Sequence, residues 1–261
     1  AIYFYQMKFS VAIPIFNEKK NINNLCSAIL KSHLPKDKFC KNIIFVDDGS
    51  NDDSKKNLEK NRTKSRKFVM LYHKKNLGYG AALKTAINFA KKKSNYIIYI
   101  DSDLTNPIKD IKKINPFMKI NVDFIQANRY GESLKNIDPY RNLIGILGNF
   151  ISRIFVNMKV QDHTNGFRAV KLSLYSKIKL EENDFSIIME EKYKLKKHIK
   201  SIPEFSTKLK KRSNRMRKSS FNYSLKLISK YLFYCLMSSL NVYLKTADPG
   251  LERDIYAYHT L

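Results

Sequence analysis

Cysteine is scarce. The 261 residues hold three, Cys26, Cys40 and Cys235, and no CxxC pair. An odd count without paired spacing argues against a disulfide framework or a cysteine-held zinc site, and for reduced thiols in a cytosolic setting. Acidic residues are also few, 23 against 49 Lys and Arg, which leaves a net charge of +26. Such an excess speaks about partners rather than fold. Anionic membrane, nucleic acid and phosphorylated substrates are all open on charge alone, as is a plain compositional bias toward Lys, Asn and Ile. No groove-reading motif accompanies the charge, so nucleic acid is not expected as a partner. Long apolar runs are missing as well. The longest uncharged stretch, Tyr231 to Leu244, falls short of the roughly 18–20 residues that span a bilayer. It reads as a core helix or an interfacial one. No secretory leader opens the chain and no internal repeat runs through it. Ala1 stands first and Met7 begins MKFSVAIPIFNE, so residues 1–6 read as an upstream remnant.

What is present is a chain with 43% apolar residues, enough for a sizeable core. Its first half alternates strand and helix. Phe9–Ile15, Asn42–Val46, Phe68–Tyr72, Tyr96–Ile100 and Asp123–Ala127 read as strands. Lys19–Lys31, Asp52–Arg62 and Ala81–Lys92 read as helices, the last with Ala81, Ala82, Ala86 and Ala90 able to pack close. Strand–helix alternation predicts right-handed crossovers and a mostly parallel α/β sheet. Past Tyr140 the pattern turns helical, over Asn142–Val156 and Phe185–His198, with Ile199–Thr207 as an edge strand because Pro203 lies inside it. The expected division is a main domain over 7–221 and a helical segment with a tail over 222–261.

Polar turns follow three of the strands: IPIFNE with Pro14, Phe16, Asn17 and Glu18; VDDGS with Val46, Asp47 and Asp48; DSDLTNP with Asp101, Ser102 and Asp103. In an open α/β sheet this edge is where ligands bind. Asp101 and Asp103, one residue apart at a strand end, could share a divalent cation. Oxygen donors suit Mg²⁺ or Mn²⁺, and such ions keep substrate phosphates in their shell. Carboxylates so placed also cap turns and helices. For Asp48, an Asx turn competes with hydrogen bonding to a base or ribose; for Glu18, the first turn of a helix competes; for Phe16, packing competes with stacking.

IPIFNEKKNI, VDDGSNDDS, NLGYGAALKTAINFA, YIDSDLTNP and NGFRAVK, in that order, closely resemble family 2 glycosyltransferases with the GT-A fold. They are most like the dolichyl-phosphate mannose synthase and polyprenyl-phosphate glycosyltransferase branch. The resemblance runs from about Phe9 to Phe221. It implies that Pro14, Phe16, Glu18, Val46 and Asp48 cradle the nucleoside. Asp101, Ser102 and Asp103 would bind the metal and diphosphate, and Arg129 would lie near the phosphates. Asn76, Gly78 and Gly80 match a turn beside the diphosphate, where close backbone approach and helix packing are needed; a plain helix-start turn accounts for the glycines equally well. Asp162 and Asn165–Ala169 match the loop walling the acceptor side, with Arg168 paired to a lipid phosphate or to a neighbouring carboxylate. The basic run LKKRSNRMRK matches a loop that closes over phosphates, through Arg212 with Lys218 or through Arg215 with Ser220. It lacks that loop's usual glycine.

Glu190 and Glu191 stand where relatives carry an acidic general base, which a hydroxyl acceptor requires and a phosphate does not. They read otherwise as helix surface. The implied reaction is inverting transfer of a sugar from a nucleoside diphosphate donor to polyprenyl phosphate. It would take place at the cytoplasmic face of an anionic membrane, with Asp103, Arg129, Asp162 and Glu190 as catalytic candidates. The competing acceptor is a glycan or lipid-linked saccharide hydroxyl. A homo-oligomer is left open, since Asn142–Val156 and Ser224–Leu240 read as interfacial helices, core or dimer contacts. A nucleotidyltransferase is disfavoured by the lack of a Gly-rich signature near the amino terminus.

Overall fold

A computed structural model describes residues 7–130, 139–156, 158–200, 202–210 and 224–247. Seven strands form one sheet: β1 (Phe9–Ile15), β2 (Cys40–Asp47), β3 (Phe68–Tyr72), β4 (Tyr96–Tyr99), β5 (Phe124–Asn128), β6 (Arg168–Lys171) and β7 (Glu204–Ser206). The helices are α1 (Ile22–Lys31), α2 (Ser54–Arg62), α3 (Tyr79–Ala90), α4 (Asn115–Lys119), α5 (Pro139–Val156), α6 (Ile187–Leu195) and α7 (Leu225–Ala247). Every strand and helix expected from periodicity is there, with ends shifted by a few residues.

The strand order is β3-β2-β1-β4-β6-β5-β7. β1, β2, β3 and β4 run parallel, as do β5 and β7, whereas β6 is antiparallel to both β4 and β5. β6 was not anticipated. RAVK is too short to show alternation, and the chain around it had been read as loop. Its reversed direction is what closes the sheet and brings the segment before it to the edge where the parallel strands end.

Successive β1 residues point to opposite faces. Phe9, Val11, Ile13 and Ile15 pack with Ile22, Leu25 and Ile29 of α1, Leu58 of α2 and Ile111. Ala12 faces the other way, with Ile44 and Val46 of β2, against Ala82, Ala86 and Ala90 of α3 and Ile187 and Ile188 of α6. The alanines let α3 lie close on the sheet, while Ala81 is only half-buried. Each large apolar side chain buried this way contributes about 1.5–3 kcal/mol.

α5 and α7 join α6 through Val156, Met189, Tyr234 and Cys235. The outer faces of that pair stay open. Ile146, Leu147, Phe150 and Ile154 of α5, and Leu232, Phe233, Leu236 and Leu240 of α7, are 40–59% exposed. Among the described residues no helix is long and apolar enough to cross a membrane.

Candidate active site

The C-terminal ends of the parallel strands line one edge. Ile15 of β1 lies opposite Asp47 of β2, and Asp47 opposite Tyr72 of β3. Ile100, just past β4, donates its N–H to Ala12 of β1. β2 and β4 flank β1, so the turns carrying Asp48 and Asp101 sit two strand spacings apart, about 10 Å. Hydrogen bonds sew these turns together. Asn17 N–H donates to Ser50 Oγ at 2.8 Å and Glu18 N–H to Ser54 Oγ at 2.7 Å. Asn21 Nδ2 donates to the Ser102 carbonyl at 2.5 Å. Asn17 and Leu104 hold the left-handed conformation at φ 53° and 58°. Asparagine tolerates that region, but leucine there is strained, a feature that clusters at functional sites.

Asp47 and Asp48 divide the work that sequence placed on Asp48. The buried Asp47 accepts from the Ser50 hydroxyl and closes its own turn, and burial raises its pKa. Asp48 reaches across to β3 instead. Its Oδ1 accepts from Leu77 N–H at 2.9 Å and its Oδ2 from Gly78 N–H at 2.8 Å. His73, which sequence reasoning passed over, donates Nδ1–H to Asp48 Oδ1 at 2.7 Å and meets Thr85 Oγ1 through Nε2 at 2.9 Å. Asp48 thus fixes the NLGYG turn. Val46 is 1% exposed with its side chain in the core, so only its backbone can face a ligand. Pro14 and Phe16 are half-buried at the same edge.

Asp101 and Asp103 both stand half-buried beyond β4, with Ser102 buried between them. Asp103 Oδ1 accepts from Thr105 N–H at 3.0 Å and from its hydroxyl at 2.7 Å. That Asx-type turn fixes the carboxylate. A Cβ on Gly166 would lie 3.4 Å from both oxygens of Asp101 and 3.2 Å from the Tyr79 hydroxyl, so glycine there leaves room for Asp101. Among the described residues no third His, Cys, Asp or Glu joins this pair as a metal cluster. Two carboxylates fit a hard cation whose remaining donors come from phosphate and water, as Mg²⁺ and Mn²⁺ prefer.

Arg129 follows β5 at the same edge. Its Nε and Nη2 fork onto Asp162, each at 2.9 Å, and Nη2 also donates to Thr164 Oγ1 at 2.5 Å. The Arg129 side chain keeps 21% exposure while that of Asp162 has none. Asp162 is in turn set by Glu204, which accepts from the N–H groups of Gln161 and Asp162 at 2.9 and 3.0 Å. A fork–fork pair of this kind fixes the guanidinium plane. Asp162 therefore holds Arg129 in place.

One open reading is decided and one expectation is corrected. Arg168 does not reach a lipid phosphate. It is fully buried, donates Nε–H to Glu191 at 2.5 Å, and lies over the Tyr99 ring at 4.3 Å. Of the two pairings left open by sequence, the carboxylate won. Glu190 and Glu191 are not helix surface, and Glu190 is not placed as a general base. Glu190, at 0% exposure, accepts from the N–H groups of Glu181 and Glu182 at 2.7 and 2.9 Å and pairs with the half-buried Lys194 at 2.8 Å. The 3.6-residue period hides this, because α6 is covered on one side by the sheet and on the other by α7. Arg212, Arg215 and Lys218 lie outside the described residues.

The glycine turn is crowded by protein, which fits its reading as a helix-start turn. Gly78 has φ 103°, and a Cβ there would lie 2.2 Å from the Asn183 carbonyl oxygen; at Gly80 it would lie 2.6 Å from that of Glu182. The 181–185 segment, held by Glu190, presses on the turn that Asp48 holds from beneath. Gly78→Ala should lower stability by about 1–3 kcal/mol, seen as a fall of several degrees in Tm. Gly148→Ala on α5, with nothing within 4 Å of its Cβ, should leave Tm unchanged or raise it.

An open sheet with carboxylates, a glycine turn and a clamped arginine at one edge defines the class of GT-A nucleotide-sugar transferases. Glycosyl transferase family 2 matches residues 10–182, and the chain belongs to that family. Among characterised relatives it is 27% identical over 188 residues to a dolichol-phosphate mannosyltransferase of Pyrococcus furiosus, covering 70% of this chain and 52% of that one. It is 29% identical over 129 residues to an undecaprenyl-phosphate 4-deoxy-4-formamido-L-arabinose transferase of Proteus mirabilis, covering 47% and 37%. The chain thus spans about half or less of these relatives' length. A crystal structure of glucosyl-3-phosphoglycerate synthase from Mycobacterium tuberculosis, in complex with Mn²⁺, UDP and glucosyl-3-phosphoglycerate, shares the fold. Its TM-score is 0.65 at 15% identity, over 88% of this chain and 80% of that one.

Proposed function

We propose that this chain moves a sugar from a nucleoside diphosphate donor to the phosphate of a polyprenyl phosphate, at the cytoplasmic face of an anionic membrane. The observation that supports the donor half is the sewn edge, along which Asp48, the Asp101–Asp103 pair and Arg129 all follow strand ends. Asp101 and Asp103 would hold Mg²⁺ or Mn²⁺ with the donor diphosphate, and such an ion supplies Lewis-acid neutralisation of the leaving group. Phe16 offers an aromatic face to the base. Arg129, its plane fixed by Asp162, stabilises charge as the diphosphate departs. An acceptor oxygen bonds to the anomeric carbon from the face opposite the breaking bond, which inverts that centre. Positioning and electrostatics carry most of the rate.

Two observations favour a phosphate acceptor. Glu190 and Glu191 have every oxygen engaged inside the protein, and an anionic phosphate needs no base. The relatives named for dolichol phosphate and undecaprenyl phosphate point the same way. The exposed apolar faces of α5 and α7, with Arg153, Lys159 and Lys226 exposed beside them, suit an anionic leaflet, where each basic group near the surface adds about 1 kcal/mol.

The test is an acceptor assay. UDP- and GDP-linked sugars are supplied with Mn²⁺, and undecaprenyl phosphate in phosphatidylglycerol vesicles competes with a soluble oligosaccharide. Label should enter the lipid fraction, and less of it as salt rises. Label on the oligosaccharide alone would overturn the acceptor assignment.

A further inference from the structure

We infer that Asn149 of α5 is a positioning residue for Arg129, setting both the acceptors and the aromatic ring against which that guanidinium lies. This rests on the reading above, in which Arg129 meets the phosphates of the donor. Arg129 and Tyr130 lie past the end of β5. The strand ladder no longer fixes the chain there, so side chains from other elements must. Asn149 is one of them, and it is 1% exposed.

Its amide has a single orientation. The backbone N–H of His163 donates to Oδ1 at 2.6 Å, and only the carbonyl end of an amide accepts. Nδ2 is thereby turned toward the Tyr130 hydroxyl at 2.8 Å and the Gly145 carbonyl, one turn back on α5, at 2.9 Å. Its two hydrogens meet these two acceptors. Thr164 Oγ1, at 3.3 Å, is a longer third contact.

Each route out of this amide leads to Arg129. His163 stands between Asp162 and Thr164, the two residues onto which the guanidinium donates. Holding the His163 N–H fixes the backbone that carries both. The guanidinium carbon also stands over the Tyr130 ring, 5.5 Å from its centroid, within the range of cation–π attraction. Asn149 holds the hydroxyl of that ring. Gly145 makes room for it, since a Cβ there would lie 3.2 Å from the Tyr130 oxygen. Glu204 supports the Asp162 N–H as well, but Asn149 reaches the acceptor side and the aromatic side together. An arginine set before the donor arrives loses less freedom on binding it. Asn149 touches none of the reacting atoms and acts through Arg129.

The test is a set of double-mutant cycles on nucleotide affinity. UDP and GDP are titrated calorimetrically with Mn²⁺ present, beside a thermal melt of each variant. Arg129→Gln, which keeps a donor for Asp162, should weaken the better-bound nucleotide about 10–100-fold, the size expected for hydrogen bonds to a charged group. Asn149→Leu should weaken it about tenfold. Tyr130→Phe, which keeps the ring and removes only the hydroxyl, should weaken it about threefold. Added to Arg129→Gln, neither change should weaken binding further, as expected for residues acting through one contact. If either variant, folded by its melt, costs the same factor with Gln at 129 as with Arg, or costs nothing with Arg, the positioning role is wrong. Should Asn149→Leu fail to fold, Tyr130→Phe decides the matter alone. Wild-type affinity in Arg129→Gln would instead remove Arg129 from the phosphates, which is the earlier reading and not this one.

Discussion

Asp101→Asn is expected to lower turnover roughly a thousandfold, the upper range seen when one preorganised electrostatic contact to a developing charge is lost. The substitution is close to isosteric, so Gly166 still accommodates the side chain and the fold should be kept. What disappears is one of the two carboxylates assigned to the cation, in a site where no third His, Cys, Asp or Glu joins them as a metal cluster among the described residues. The remaining ligands would be one carboxylate and the diphosphate, so the cation would be tied to the protein through a single carboxylate. Asp103→Asn should act in the same direction. Its Oδ1 can still accept from Thr105, so the turn survives while the outer oxygen becomes an amide. Calorimetric titration of UDP and GDP with and without Mn²⁺, beside a thermal melt, separates lost binding from lost folding. Unchanged nucleotide affinity in both variants would remove the assigned metal role.

Glu191→Ala should produce the largest loss of stability, about 3–5 kcal/mol, because it strands a buried cation. Arg168 and Glu191 are at most 1% exposed, and Glu191 also accepts from the Tyr175 hydroxyl, which in turn meets Tyr99 at 2.7 Å. No spare counter-charge is at hand. Lys192 next door is already pushed down to about 7, first by burial and then by Arg168. A fall of roughly 10 °C in Tm is expected for a protein of this size. Replacing both partners, as Arg168→Met with Glu191→Leu, should cost much less, since a buried ion pair exchanged for apolar groups of similar volume is often neutral. Urea midpoints for the single and double variants decide it. An equal loss in both would mean that packing, not the stranded charge, sets the stability here.

The motifs at the crevice were legible because strand ends announce themselves. A buried apolar run that stops at IPIFNE, VDDGS or DSD must leave its polar residues at the sheet edge, and in a parallel sheet those edges coincide. The readings that shifted share one cause. Arg168, Glu191 and Asp162 are charged residues whose ion-pair partners lie far along the chain, so nothing local distinguished a buried pair from a solvated side chain. His73 was passed over for the same reason, since its partner Asp48 is brought to it by β2.

By itself the sequence determined the alternating strands and helices, the edge where the parallel strands end and the carboxylates it carries, because hydrophobic periodicity and strand termination are local properties. Only the tertiary structure decided which charges face the crevice and which face each other. It reversed β6, buried Arg168 against Glu191, and turned Gly78 and Gly80 toward the 181–185 segment. Burial removes water as a partner, and each buried charge must then find an opposite one wherever the fold has placed it.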